Sequence, residues 1–239
     1  MTGISGQIKA GLLAHGADIV GFADLGELPP DVRQGLPVGI CVAVKYPPQV
    51  IRGIAELPTR EYCDWYHKLN HRLDNLVIWG AGFLQNQGFR AVANTIERVS
   101  LDATEYNTAL PHKTVATRAG IGWIGKSALL VTEKYGSMIR LSSVLTNAPL
   151  DTASPVNESR CGKCTVCANA CPAGAISGKL WEVGLYRDEF FDPVKCGAAA
   201  LERARRGFGG EVIICGKCIE ICPYTRRSWR NSSGQPSAA

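Results

Sequence analysis

Apolar positions along this chain change their period from one stretch to the next, and each period predicts an element. Ile8 to Ala14 reads as a short amphipathic helix, while Ala17 to Phe22 and Gly39 to Lys45 are β-branched runs flanked by Gly and Pro, the pattern of strands. From Arg60 to Gln87, Tyr62, Trp65, Leu69, Leu73, Leu76, Val77, Phe83 and Leu84 step by three and four, which predicts one long helix. Gly88 is placed to end it, and Phe89 to Ala93 reads as the next strand. Ala128 to Thr132 and Met138 to Thr146 read as two strands, and Glu133 to Ser137 between them predicts a hairpin.

A polar, Pro-containing stretch over 151–160 separates this α/β layer from a region that holds nearly all the cysteines, so a domain boundary is expected near Asp151. The expected division is a domain over 1–150, a cysteine-rich domain over 151–230 and a disordered tail over 231–239, whose Ser, Gly, Gln, Pro and Ala cannot offset their ordering entropy. With 46% hydrophobic and 20% charged residues, the chain can build one large or two small cores. Apolar runs such as Gly39 to Val44 fall far short of the roughly 20 residues of a membrane span, so no membrane partner is expected. The N-terminus has no secretory-signal pattern, which predicts a cytoplasmic protein whose ten cysteines stay reduced. The net charge of +5 is modest, but Arg203, Arg205, Arg206, Arg226, Arg227 and Arg230 crowd the C-terminal quarter, where a polyanion would fit as well as plain solvation.

The cysteine spacing carries the chemistry. Cys161, Cys164, Cys167 and Cys171, followed by Pro172, form the C-x2-C-x2-C-x3-C-P run of bacterial ferredoxins, in which three thiolates grip one cubane and the fourth ligates another. Cys196, Cys215, Cys218 and Cys222 with Pro223 complete a second set. The cross-over rule assigns Cys161, Cys164, Cys167 and Cys222 to one [4Fe-4S] cluster and Cys171, Cys196, Cys215 and Cys218 to the other. Zinc is the weaker reading, because a triple run leaves a ligand over in a tetrahedral site and no His stands near these thiols. Cys41 reads as a small buried hydrophobe, and Cys63 lies on the long predicted helix without an assigned role.

Gly120, Gly122, Gly125 and Lys126 spell G-x-G-x-x-G-K, yet a strand-like segment follows them where a dinucleotide fingerprint requires a helix. Two readings stay open: a tight turn packed against another element, or a loop that lets a bulky cofactor approach the backbone. Trp123 and Lys126 add an aromatic wall and a cation to it.

On AGIGWIGK at 119–126, the Gly136-Ser137 turn, Pro149-Leu150, CGKCTVCANACPAGAI at 161–176 and CGKCIEICPY at 215–224, the chain resembles the epoxyqueuosine reductase family, cobalamin-dependent iron-sulfur enzymes related to the reductive dehalogenases. The resemblance implies an α+β fold: an N-terminal α/β cobalamin-binding, nitroreductase-like domain followed by a bacterial two-[4Fe-4S] ferredoxin-like domain. It implies that the clusters pass electrons to base-off cobalamin for reduction of an epoxide or related substrate, with Trp123, Lys126, Ser127, Leu130 and Leu141 lining the corrin site. An external low-potential donor of the ferredoxin or flavodoxin type and a small-molecule or nucleoside substrate would be the partners.

Two features depart from the family pattern. Where its members place an Asp as proton donor, this chain has Tyr106, which either donates the proton itself or packs as an aromatic; Asp102 and His112 are nearby alternatives. The chain also resembles a short form, with few residues after its last cluster ligand where full-length members carry a helical-repeat region that helps hold tRNA. A ferredoxin-type protein that reduces a partner's corrinoid or metal centre is the alternative function.

Overall fold

A computed structural model describes residues 3–99 and 107–232. The elements run α1 (Ile4–Ala14), β1 (Ile19–Asp24), β2 (Val38–Lys45), α2 (Pro48–Arg52), α3 (Arg60–Asn86), β3 (Ala91–Asn94), α4 (His112–Arg118), β4 (Trp123–Ile124), β5 (Leu130–Val131), β6 (Ile139–Thr146), α5 (Val166–Asn169), α6 (Pro193–Phe208), α7 (Lys217–Glu220) and α8 (Pro223–Ser232). No helix among the described residues is long and apolar enough to cross a membrane.

The chain divides into two compact units. Unit 1 holds residues 1–45, 68–122 and 140–157, and unit 2 holds 46–67, 123–139 and 158–239. The units are therefore interleaved along the chain, whereas the sequence reading placed a single break near Asp151.

Unit 1 is built on a sheet of order β1-β2-β6-β3. β1 and β2 pair antiparallel with Ile19 opposite Ala43 and Asp24 opposite Val38; β3 and β6 pair antiparallel with Ala91 opposite Thr146. In β2 every residue from Gly39 to Val44 is buried, so both faces of this strand are covered and its apolar run is unbroken. Leu69, Leu73, Leu76, Val77 and Leu84 line the buried side of α3. Gly80 lets that helix lie close to α1 and the sheet, since a Cβ there would touch Leu12 and Val144. Gly88 adopts φ +85 just past the end of α3 and the Phe89 N–H returns to the Leu84 carbonyl, so Phe89 finishes the helix and the strand starts two residues later, at Ala91.

The hairpin expected from Ala128–Thr132 and Met138–Thr146 does not form. β5 pairs with β4, Trp123 opposite Val131 and Ile124 opposite Leu130, whereas β6 joins the sheet of unit 1; only a Thr132–Gly136 bridge closes the intervening turn. The actual hairpin turns at Gly125, which donates to Leu129 O and accepts from Ala128 N, with Ala128 itself at φ +58. Burial explains the outcome: β6 is covered from Ser142 to Thr146, as an inner strand must be.

Unit 2 is loop-rich. A small apolar group of Ile124, Ala128, Trp181 and Phe190 with Leu185 and Phe191 forms part of its core. α6 begins with Asp192, whose carboxylate accepts from Lys195 N, followed by Pro193, and ends on Gly209 in the left-handed conformation. The stretch after α2 is held by cations: the Lys217 ammonium donates to Ala55 O at 2.6 Å and the Arg203 guanidinium to Glu56 O. Asn231 and Ser232, expected in the tail, complete α8, and 233–239 lie outside the described residues.

Candidate iron-sulfur site

Short helical turns present the thiols of unit 2. The loop from Cys161 enters α5, which carries Cys167; α6 carries Cys196 near its start; α7 carries Cys218; and Cys222 stands immediately before Pro223, the first residue of α8. Such turns leave backbone N–H groups unpaired by the helix, free to point at sulfur. Cys222 Sγ accepts from the N–H groups of Tyr224 and Thr225 and from the Thr225 hydroxyl, and Cys171 Sγ accepts from Ala175 N at 3.4 Å.

The thiols assemble in two sets. Cys161, Cys164, Cys167 and Cys222 line one pocket together with Gly125, Lys126, Ser127 and Tyr224, and Cys218 lines it as well. Burial, then repulsion from Cys161, Cys222 and Cys164, pushes the Cys167 thiol up to about 11. Burial, then Cys215, Cys171 and Asp192, pushes Cys196 up to about 11. Burial and the surrounding thiols, Cys196 and Cys215 first, also raise Cys218 strongly. Packing several thiols at this density opposes ionisation, so the arrangement calls for a bound cation to make thiolates of them. Cys41 is fully buried in β2, where burial takes its thiol to about 12, and Cys63 is buried on α3; neither lines the pocket.

The Gly-rich segment meets this site directly. A Cβ on Gly125 would stand 3.5 Å from Cys161 Sγ and against Val131, so the β4–β5 turn owes its close approach to glycine. Lys126 is 5% exposed and its ammonium donates to Cys164 O at 2.9 Å. Trp123 is fully buried, meets the Tyr224 ring edge-on at 4.9 Å, and its indole Nε1 has no hydrogen-bond partner among the described residues. Leu130 is buried in β5, while Leu141 lies part-buried on β6 in unit 1. Sequence spacing did not reveal the place of Lys126 among the thiols, although its position directly after Gly125 was a usable signal. Tyr106 and Asp102 lie outside the described residues. His112 is described: its Nδ1 pairs with Ser143 Oγ at 3.0 Å, and burial, with the Arg140 charge second, lowers its pKa to about 4.

Of the C-terminal arginines, Arg205 pairs with Glu211 at 2.8 Å, Arg226 with the buried Glu220 and Arg227 with Glu133 at 3.8 Å, and Arg203 is engaged as above. These partners account for much of the basic cluster within the protein itself.

Residues 160–225 match the family of 4Fe-4S double cluster binding domains. This chain therefore carries a double-cluster domain. It is 34% identical over 119 residues to the epoxyqueuosine reductase of Listeria monocytogenes, covering 47% of this chain and 29% of that protein. With the enzyme of Synechococcus sp. it shares 30% identity over 171 residues, covering 71% of this chain and 49% of the relative. The chain is a relative of the epoxyqueuosine reductases. It spans about half or less of the length of these curated relatives. Among solved structures, the epoxyqueuosine reductase of Bacillus subtilis aligns over 92% of this chain and 65% of its own at 20% identity with a TM-score of 0.58. A catabolic reductive dehalogenase aligns over 95% of this chain and 33% of its own at 17% identity with a TM-score of 0.68. These likenesses establish the fold: mixed α and β, with a ferredoxin-like cluster domain.

Proposed function

We propose that this protein is an iron-sulfur reductase of the epoxyqueuosine reductase type, in which two [4Fe-4S] clusters deliver electrons to base-off cobalamin for reduction of an epoxide or related substrate. The observation that carries it is the convergence of Cys161, Cys164, Cys167, Cys218 and Cys222 on one pocket with Gly125 and Lys126, with Cys215 and Cys171 close to Cys196. Cys161, Cys164, Cys167 and Cys222 would hold one cluster and Cys171, Cys196, Cys215 and Cys218 the other. The donor chemistry fits: amide N–H groups already point at three of the sulfurs, those of Cys167, Cys171 and Cys222.

The Trp123 indole supports the corrinoid, because a buried N–H without an acceptor suits the peripheral amide carbonyls of a corrin. Trp123, Lys126, Ser127, Leu130 and Leu141 remain the proposed corrin-side residues, and bound cobalamin would supply the reducing nucleophile. Deoxygenation of an epoxide to an alkene takes two electrons and two protons and releases water. Tyr106 is proposed to supply a proton, and a low-potential one-electron protein the electrons. A solved epoxyqueuosine reductase structure contains an epoxyqueuosine-modified tRNA stem loop, so that RNA is the substrate to try first.

The test is anaerobic reconstitution of the full chain with iron and sulfide, followed by cobalamin titration in the visible. The expected result is about eight irons per chain, from two four-iron clusters, and a base-off cobalamin spectrum. Full iron without that spectrum would reduce the protein to an electron relay for a partner's corrinoid or metal centre.

A further inference from the structure

The two thiol sets sit in unlike electrostatic surroundings. Around Cys161, Cys164, Cys167 and Cys222 the β4–β5 turn inserts a buried ammonium: Lys126 shares their pocket and is anchored on Cys164 O at 2.9 Å. Gly125 brings the backbone of the same turn against Cys161. Cys222 Sγ is further wrapped by two amide N–H groups and a hydroxyl. Around Cys171, Cys196, Cys215 and Cys218 the Asp192 carboxylate acts on Cys196, partly offset by its ion pair with Lys195 at 3.0 Å, and a single amide, Ala175 N, donates to Cys171 Sγ at 3.4 Å. The buried Glu220, between Cys218 and Cys222 in sequence, is paired with both Lys217 at 3.0 Å and Arg226.

A cluster becomes more negative when reduced, so a fixed cation and hydrogen bonds to sulfur stabilise the reduced form, and a nearby anion opposes it. We propose that Lys126 is a positioning residue that sets the order of the two potentials, placing the cluster on Cys161, Cys164, Cys167 and Cys222 above the cluster on Cys171, Cys196, Cys215 and Cys218. An electron from a low-potential one-electron donor then settles on the first of these: as one cluster passes from the 1+ to the 2+ state, the other passes from 2+ to 1+. The inference rests on the two-cluster part of the proposed function and is independent of cobalamin.

The experiment is a dithionite titration of the iron-loaded, cobalamin-free full chain, followed by electron paramagnetic resonance. The native protein should show two separated one-electron steps; a single unresolved step overturns the proposal. Lys126→Gln keeps a hydrogen-bond donor and removes the charge, and it should shift the reduction equilibrium of the upper step at least about tenfold, a fall of about 59 mV, while leaving the lower step in place. Lys126→Arg should retain the native potentials. An unchanged upper step, or a shift confined to the lower one, refutes the assignment. Should Lys126→Gln fail to hold its iron, Asp192→Asn decides, since Asn still caps α6. It should raise the lower step alone; movement of the upper step, or of neither, overturns the order. A missing base-off spectrum would leave these results untouched, and failure here would leave the cobalamin reading standing.

Discussion

Gly136→Ala is the sharpest structural test of how the cluster unit is held together. Gly136 adopts φ +58, and a Cβ added there would lie 2.5 Å from both Thr225 Cα and Thr225 Oγ1, with the Thr225 amide nitrogen closer still. Those atoms are fixed by function, since that N–H and that hydroxyl both point at Cys222 Sγ and the hydroxyl also accepts from Ser137 N at 3.1 Å. The left-handed conformation alone costs a non-glycine residue about 1–2 kcal/mol. Overlap with packed neighbours adds about 1–3 kcal/mol. Gly209→Ala isolates the first part, because Gly209 has φ +69 in the same unit and nothing within 4 Å of its would-be Cβ. In anaerobic melts of the iron-loaded protein, followed by loss of cluster absorbance, Gly136→Ala should melt roughly 2–12 °C below Gly209→Ala. It should also lose iron sooner, because the displaced N–H serves a ligand. Equal melting and equal iron retention in the two variants would refute the close packing of Gly136 on Thr225.

Further outcomes follow from the same geometry. His112 has a folded-state pKa of about 4, below the roughly 6.5 of an unfolded chain, so the unfolded state binds more protons between those values and stability falls as pH drops through that window, by at most about 3 kcal/mol. His112→Asn should flatten this slope in urea unfolding followed by tryptophan fluorescence between pH 5 and 7.5; parallel slopes would show that the imidazole is not held neutral. Cys222→Ser should lower bound iron from about eight per chain towards about four, whereas Cys63→Ala and Cys41→Ala should leave it at about eight, as read by iron analysis. A fragment starting at residue 151 lacks the residues 46–67 and 123–139 that belong to the cluster unit, so it should fail to retain clusters that the full chain retains, by the same assay.

Much of the fold could be read from periodicity. The long helix announces itself through Leu69, Leu73, Leu76 and Leu84, and the central strand through its unbroken run from Gly39 to Val44. The β4–β5 hairpin was not legible, because strands of two residues are too short to show a period and Ala128 takes a positive φ that its side chain does not advertise. β6 misled for a related reason, since a strand's own pattern does not name its partner. At the site, the cysteine spacing is local information, and it points to the double-cluster domain that residues 160–225 match. The approach of Lys126 to Cys164 joins residues 38 apart and depends on a turn geometry that spacing alone does not contain.

The interleaving of the two units also orders events at the ribosome. Synthesis releases the chain from its N-terminus, so the first unit has all its segments once Asn157 has emerged. By then the stretches 46–67 and 123–139 are already out, yet their remaining partners begin only at Glu158, and no cluster ligand has appeared. The first thiol set closes only with Cys222. Iron can thus complete this unit only after Cys222 has emerged, and until then its early stretches, 46–67 and 123–139, wait for partners made much later in the chain.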